Sequence, residues 1–181
     1  MNKKYIPNIL TSARFPMAAA CFYFALNLLP ESQMVSLAIF ITASITDFFD
    51  GYLARKWNIV SNFGKIADPI ADKALTLGTM SAFWAAGVFP LWALIIIMLR
   101  EISITVIRLR LLPKNIVLAA IYSGKLKTVL QITVLIVIYL FNILSIHGHT
   151  VEKLLILLTV IITVYSGAEF FVRNNRCFNV C

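Results

Sequence analysis

Four aspartates crowd into residues 46–74, TDFFDGYLARKWNIVSNFGKIADPIADKA: Asp47, Asp50, Asp68 and Asp72. The chain has eight acidic residues, so half of its carboxylates fall in this window. Asp47, Asp50, Gly51 and Ala54 are spaced i, i+3, i+4, i+7, which is one face of a helix. Gly64, Asp68 and Asp72 are spaced i, i+4, i+8, one face of a second helix. A turn around 58–62 joins the two, so the carboxylates lie at neighbouring ends of consecutive antiparallel helices. If the faces oppose, all four converge. Carboxylates sharing a small, partly desolvated space need protons or a cation to neutralise them. Hard oxygen donors without His or Cys favour Mg²⁺ or Mn²⁺ over zinc. Mg²⁺ keeps waters and works with substrate phosphates, so the pattern predicts a phosphate-bearing substrate and a two-metal arrangement. Gly51 and Ala54 leave room for a ligand near the backbone, and the Arg55 guanidinium follows where it could clamp a phosphate. The bland alternative is that the small residues are packing contacts and the acids pair with Arg14, Lys73 or Arg100. Ionisable residues inside membrane helices are functional by default, which favours the site.

The elements that must hold these residues are apolar helices. The chain of 181 residues is 60% hydrophobic and 13% charged, where a soluble domain is about half apolar and a quarter charged. We expect one integral membrane domain, residues 1–181. The net charge of +8 is scattered between apolar runs and forms no basic stripe, which argues against nucleic acid. Six spans of suitable length are expected, at 6–29, 34–54, 68–88, 90–110, 125–146 and 152–172. Two connections are short, PESQ at 30–33 and GVFP at 87–90.

With six spans both termini share one side, and twelve Lys and Arg residues fall there against Lys153 alone on the other. The bias puts the termini and the aspartates in the cytoplasm. Trp57, Trp84 and Trp92 lie near span ends, as interfacial anchors. The basic, then apolar N-terminus imitates a signal peptide, but Arg14 interrupts the apolar run, so it is expected to be a retained first helix. Cys21, Cys177 and Cys181 have no metal-ligand spacing; Cys21 is expected to be apolar filler. His147 and His149 are expected in a solvated loop on the far side, and Glu31 as loop punctuation. Glu169 has no evident role.

The aspartate stretch fits D-x2-D-G-x2-A-R-x8-G-x3-D-x3-D without a gap, from Asp47 to Asp72. This resembles the signature of the CDP-alcohol phosphatidyltransferases. The resemblance implies an all-α integral membrane fold of six transmembrane helices covering most of the chain. PNILTSAR at 7–14, Arg100-Glu101 and SGKLKT at 123–128 are similar to one branch, the bacterial phosphatidylglycerophosphate synthases. That resemblance implies transfer of the phosphatidyl group of CDP-diacylglycerol to sn-glycerol 3-phosphate in the inner membrane, releasing CMP, by an enzyme that is a homodimer. By similarity, Asp47, Asp50, Asp68 and Asp72 hold divalent metal and Asp72 is the general base. Asn8, Thr11, Gly51, Ala54, Arg55 and Gly64 would line the CDP-diacylglycerol pocket. The sequence offers no Ser-His-Asp or Cys-His arrangement, so direct displacement is more natural than a covalent enzyme intermediate.

The acceptor is a small dianion and needs cations. Arg100, Arg108, Lys125, Lys127 and Lys65 are the candidates, and Ser123 could cap the fifth helix and aim its N–H groups at an anion. Lys125 and Lys127 are two apart and cannot point the same way on a helix. The alternative is that these cations serve topology or anionic lipid heads. Competing functions are the same family with serine, inositol phosphate or phosphatidylglycerol as acceptor, a divalent-cation transporter, and a non-catalytic scaffold. Transport sites favour the bilayer midplane, whereas these carboxylates sit at one helix end beside Arg55 and Lys65, which repel cations.

Overall fold

The computed structural model describes residues 6–56, 62–111, 122–146 and 149–178, with side chains described over 12–46, 70–110, 122–146 and 150–174. The described residues form helices joined by turns, with no strand among them. The helices are α1 Ile6–Leu26, α2 Pro30–Lys56, α3 Asn62–Ala85, α4 Leu91–Leu111, α5 Tyr122–Ile143 and α6 His149–Phe178. The shortest has 21 residues, and at about 1.5 Å per residue that spans a hydrocarbon core of roughly 30 Å. Two helices, Tyr122–Ile143 and the Thr150–Asn174 part of α6, are both long and apolar enough to cross a membrane, with mean hydropathies of 1.9 and 2.1.

Helix α6 buries hydroxyl and amide side chains together with Ile156, Val160 and Phe170, and its outward side is rich in large apolar residues. Thr159, Thr163, Ser166 and Asn174 are buried, while Leu154, Ile161, Val164 and Val172 are exposed. A water-facing surface would not place its apolar side chains outward and its hydroxyls inward; lipid would.

Several ends differ from the sequence expectation: α1, α3 and α5 stop at Leu26, Ala85 and Ile143, short of the expected 29, 88 and 146, because apolar residues continue into the turns, whereas α2, α3, α5 and α6 begin before the expected starts because that reading left out their polar first turns. PESQ is not a loop but the first turn of α2. Pro30 takes the first helical position, where its missing N–H costs nothing, and Glu31 lies in that turn, where a carboxylate favours the helix dipole. The α1–α2 turn is closed by side chains. Asn27 Oδ1 accepts from the Leu29 N–H at 3.1 Å. Buried Gln33 donates Nε2–H to the Ala25 and Asn27 carbonyls at 3.1 and 2.7 Å, capping acceptors that α1 leaves open. α6 begins at His149, which is therefore helical and not in the loop; His147 lies outside the described residues.

The helices α3 and α5 end alike. Val88 N–H reaches the Phe83 carbonyl at 2.8 Å and Gly87 N–H the Trp84 carbonyl at 2.9 Å, with Gly87 at φ 79°. Ile146 N–H reaches the Phe141 carbonyl at 2.9 Å and Ser145 N–H the Asn142 carbonyl at 3.3 Å, with Ser145 at φ 52°. Both are Schellman turns, which want glycine at the left-handed position. A Cβ on Gly87 would meet nothing within 4 Å, so its cost is backbone conformation alone. Gly87→Ala should therefore lose about 1 kcal/mol, and Ser145→Gly should gain roughly 0.5–1 kcal/mol. Melting of the two variants in detergent checks this; shifts of the same sign would contradict it.

The chain forms two compact units. In the first, which also takes in Tyr139–Ile146, α1 packs against α2 and α3. Its interior is tied by a polar knot. Tyr139 OH lies 2.7 Å from Ser36 Oγ, and Cys21 Sγ lies 3.4 Å from Ser36 Oγ, Thr79 Oγ1 and Tyr139 OH. Cys21 is thus not apolar filler but a thiol set among hydroxyls, joining residues of α1, α2, α3 and α5. In the second unit α4 packs against α6, with Ile104 against Phe170.

Candidate active site

The last turns of α2 carry Asp47, Asp50, Gly51, Ala54 and Arg55, and the first turns of α3 carry Gly64, Lys65, Asp68 and Asp72. Both stretches are helical, as the spacing requires. The side chains over 47–69 and those of Asn8 and Thr11 lie outside the described ones, so of the nine positions just named in α2 and α3 only Asp72 has a described side chain. No group of three metal-ligating side chains occurs among the described residues.

The Asp72 side chain is 37% exposed, and Lys73 Nζ approaches its Oδ2 at 3.7 Å. An ion pair that long and that exposed contributes little. Thr76 donates its hydroxyl to the Asp72 backbone carbonyl at 3.1 Å, leaving the carboxylate itself unused by that bond. Asp72 is therefore open enough to take a proton or share a cation. Carboxylate oxygens, as a class of donor, suit a hard divalent ion rather than a soft one.

Four of the five cations expected for the acceptor, Arg100, Arg108, Lys125 and Lys127, belong to the second unit. Arg100 Nη1 donates to Glu101 Oε1 at 3.1 Å and Arg100 Nη2 to Ser166 Oγ at 3.0 Å. Lys127 Nζ donates to the same Glu101 oxygen. The side chains of Lys127 and Glu101 are each 2% exposed, and that of Arg100 is 15% exposed. Lys125 is exposed, so the two lysines do diverge as their spacing requires. Exposed Arg108 sets its guanidinium over the Phe170 ring, 5.8 Å from the centroid, a cation–π contact. Lys65 lies outside the described side chains.

Ser123 is not a cap. Its hydroxyl donates to Glu169 Oε2 at 2.5 Å, and Arg173 Nε meets Glu169 Oε1 at 2.8 Å. Glu169, without a role in the sequence reading, is thus the anchor of a second polar layer. The signal was present: Ser123 and Lys127 share a face of α5, and Ser166, Glu169 and Arg173 fall at i, i+3, i+7 on α6. Glu101 as the meeting point of two cations is likewise legible only once Lys127 of α5 is brought to Glu101 of α4.

The profile of the CDP-alcohol phosphatidyltransferase family matches residues 4–165. A Bacillus subtilis (strain 168) protein, CDP-diacylglycerol–glycerol-3-phosphate 3-phosphatidyltransferase, is 37% identical over 147 residues, covering 81% of this chain and 76% of its own. A protein of the same name from Rickettsia bellii (strain RML369-C) is 32% identical over 178 residues, 96% of this chain and 97% of its own. Another from Rickettsia typhi (strain ATCC VR-144 / Wilmington) is 34% identical over 174 residues, 93% and 96% of the two chains.

Proposed function

The chain belongs to the CDP-alcohol phosphatidyltransferase family, and we propose that it transfers the phosphatidyl group of CDP-diacylglycerol to sn-glycerol 3-phosphate, giving phosphatidylglycerophosphate and CMP. The observation that carries this reading is the near full-length similarity to the Rickettsia bellii protein of that name. The gapless aspartate signature on α2 and α3 supplies the chemistry.

In this reading Asn8, Thr11, Gly51, Ala54, Arg55 and Gly64 bind the CDP end of the donor. Asp47, Asp50, Asp68 and Asp72 would hold Mg²⁺ or Mn²⁺, two ions that when bound neutralise phosphate charge and align attacking and leaving oxygens. Asp72 takes the proton of the acceptor hydroxyl. The freed oxygen attacks the β-phosphorus, the bond from that phosphorus to the CMP oxygen breaks, and CMP leaves with the electron pair. An alcohol is a poor nucleophile until a base takes its proton, which is why one carboxylate must be accessible. Arg100, Arg108, Lys125, Lys127 and Lys65 are the proposed cations for the acceptor phosphate.

The chain is a membrane protein. We read it as one membrane-embedded domain with all six helices spanning the inner membrane, termini and aspartates on the cytoplasmic side, on the Lys and Arg asymmetry. The homodimer implied by the family resemblance is the proposed assembly. An acceptor screen tests the substrate: CMP release in detergent with CDP-diacylglycerol, Mg²⁺ and, in turn, glycerol 3-phosphate, serine, inositol phosphate and phosphatidylglycerol. Release with glycerol 3-phosphate alone is expected. Release with another alcohol alone would keep the aspartate chemistry and overturn the acceptor.

A further inference from the structure

We propose that Gln131 of α5 and Thr163 of α6 form a buried hydration site in the second unit, where one ordered water bridges the amide and the hydroxyl. Polar side chains of the two helices meet in steps. Ser123 donates to Glu169. One turn on along α5, Lys127 donates to Glu101, which also takes Arg100, and Arg100 donates to Ser166. A step forward on α5 is thus a step back on α6, so the two helices run in opposite senses. The next step brings Gln131, four residues after Lys127, level with Thr163, three before Ser166. At about 1.5 Å per residue these lie roughly 6 Å and 4.5 Å beyond the ion layer, at nearly one depth.

Gln131 is 3% exposed and Thr163 0%, and neither Gln131 Nε2 nor Thr163 Oγ1 has a hydrogen-bond partner among the described residues. Thr159, one turn earlier on α6, turns its hydroxyl to the Leu155 carbonyl at 2.8 Å, as a buried helical threonine can. The Thr163 hydroxyl makes no such bond, while the Thr163 carbonyl takes the Ser166 hydroxyl at 3.0 Å. Unmet polar groups inside a membrane helix bundle are costly, because no bulk water reaches them. Two of them at one depth that do not bond each other are what a single water joins. Its oxygen accepts the amide N–H of Gln131, and one of its hydrogens goes to Thr163 Oγ1. Past Gln131, α5 buries Val134, Leu135 and Ile138, so the water belongs to this step alone.

Radiolytic hydroxyl labelling of the purified protein in detergent reads the water directly, because X-rays make the radical where a bound water sits and it marks the side chains beside it. Leu135 and Val160, buried about one turn from Gln131 and Thr163, should be labelled in the wild-type protein. They should be labelled about fivefold less in the double variant Gln131→Met, Thr163→Val, which has nothing to hold the water. Melting in the same detergent reads the bridge. Each single substitution strands the other group and should lower Tm by about 2–4 °C, whereas the double variant should lose no more than the larger single loss. KM for glycerol 3-phosphate should stay within about twofold in all three variants. Absence of label on Leu135 and Val160 in the wild-type protein would overturn the proposal, whether or not the variants fold. So would single losses that simply add, or a Thr163→Val variant that melts at or above the wild-type Tm. A rise in the acceptor KM alone would assign the step to acceptor binding and overturn it as well.

Discussion

Asp72→Asn should reduce turnover by about a thousandfold while leaving CDP-diacylglycerol binding within a few-fold of normal. Asparagine keeps the shape and one oxygen but cannot accept the acceptor's proton, and as a neutral group it binds a divalent ion weakly. A positioned base contributes roughly 10²–10⁴ in rate, and a thousandfold corresponds to about 4 kcal/mol of barrier. The fold should survive, because Asp72 spends its carboxylate on a single 3.7 Å approach by Lys73 and is partly exposed. Its backbone bond to Thr76 is unaffected by the change. Single-turnover CMP release together with equilibrium dialysis of labelled donor in micelles measures both halves. Near-normal turnover would remove Asp72 as the base. Loss of donor binding along with turnover would make it a binding residue instead.

Removal of divalent metal should abolish CMP release, to below about 1% of normal, and excess Mg²⁺ or Mn²⁺ should restore it. The reason is in the charge count: four aspartates in one window repel each other unless a cation sits among them. Ca²⁺ should restore little, because it prefers longer bonds and a looser shell than in-line transfer tolerates. A second readout does not depend on activity. Binding to the folded chain alone stabilises it, by about 2.7 kcal/mol at a hundredfold excess over Kd. The melting temperature in detergent should therefore rise with Mg²⁺, and less so in Asp68→Asn. Turnover that survives thorough chelation would contradict the metal reading.

Much of this was legible in the sequence, for physical reasons that also mark where legibility ends. Helical spacing put Asp47, Asp50, Gly51 and Ala54 on one stripe, and those positions are helical in α2. Apolar runs located all six helices but misplaced their ends, since α2 starts at Pro30 and α6 runs on to Phe178 through polar residues that no hydropathy count includes. Divergence of Lys125 and Lys127 followed from geometry alone. What the sequence could not supply were pairings between helices. Glu101 with Lys127 is separated by 26 residues and Ser123 with Glu169 by 46, and periodicity within one helix says nothing about its neighbour. Cys21 among Ser36, Thr79 and Tyr139 is the same kind of omission. Each residue alone looks like apolar or small filler, and only the four together make a polar knot.

The most direct test of the central claim is the lipid product itself, identified by mass and counted against CMP in the same reaction of purified protein, CDP-diacylglycerol, Mg²⁺ and glycerol 3-phosphate. The account predicts one phosphatidylglycerophosphate for each CMP, and neither when glycerol 3-phosphate is left out. CMP without that lipid, or a lipid formed from a different alcohol, would contradict it.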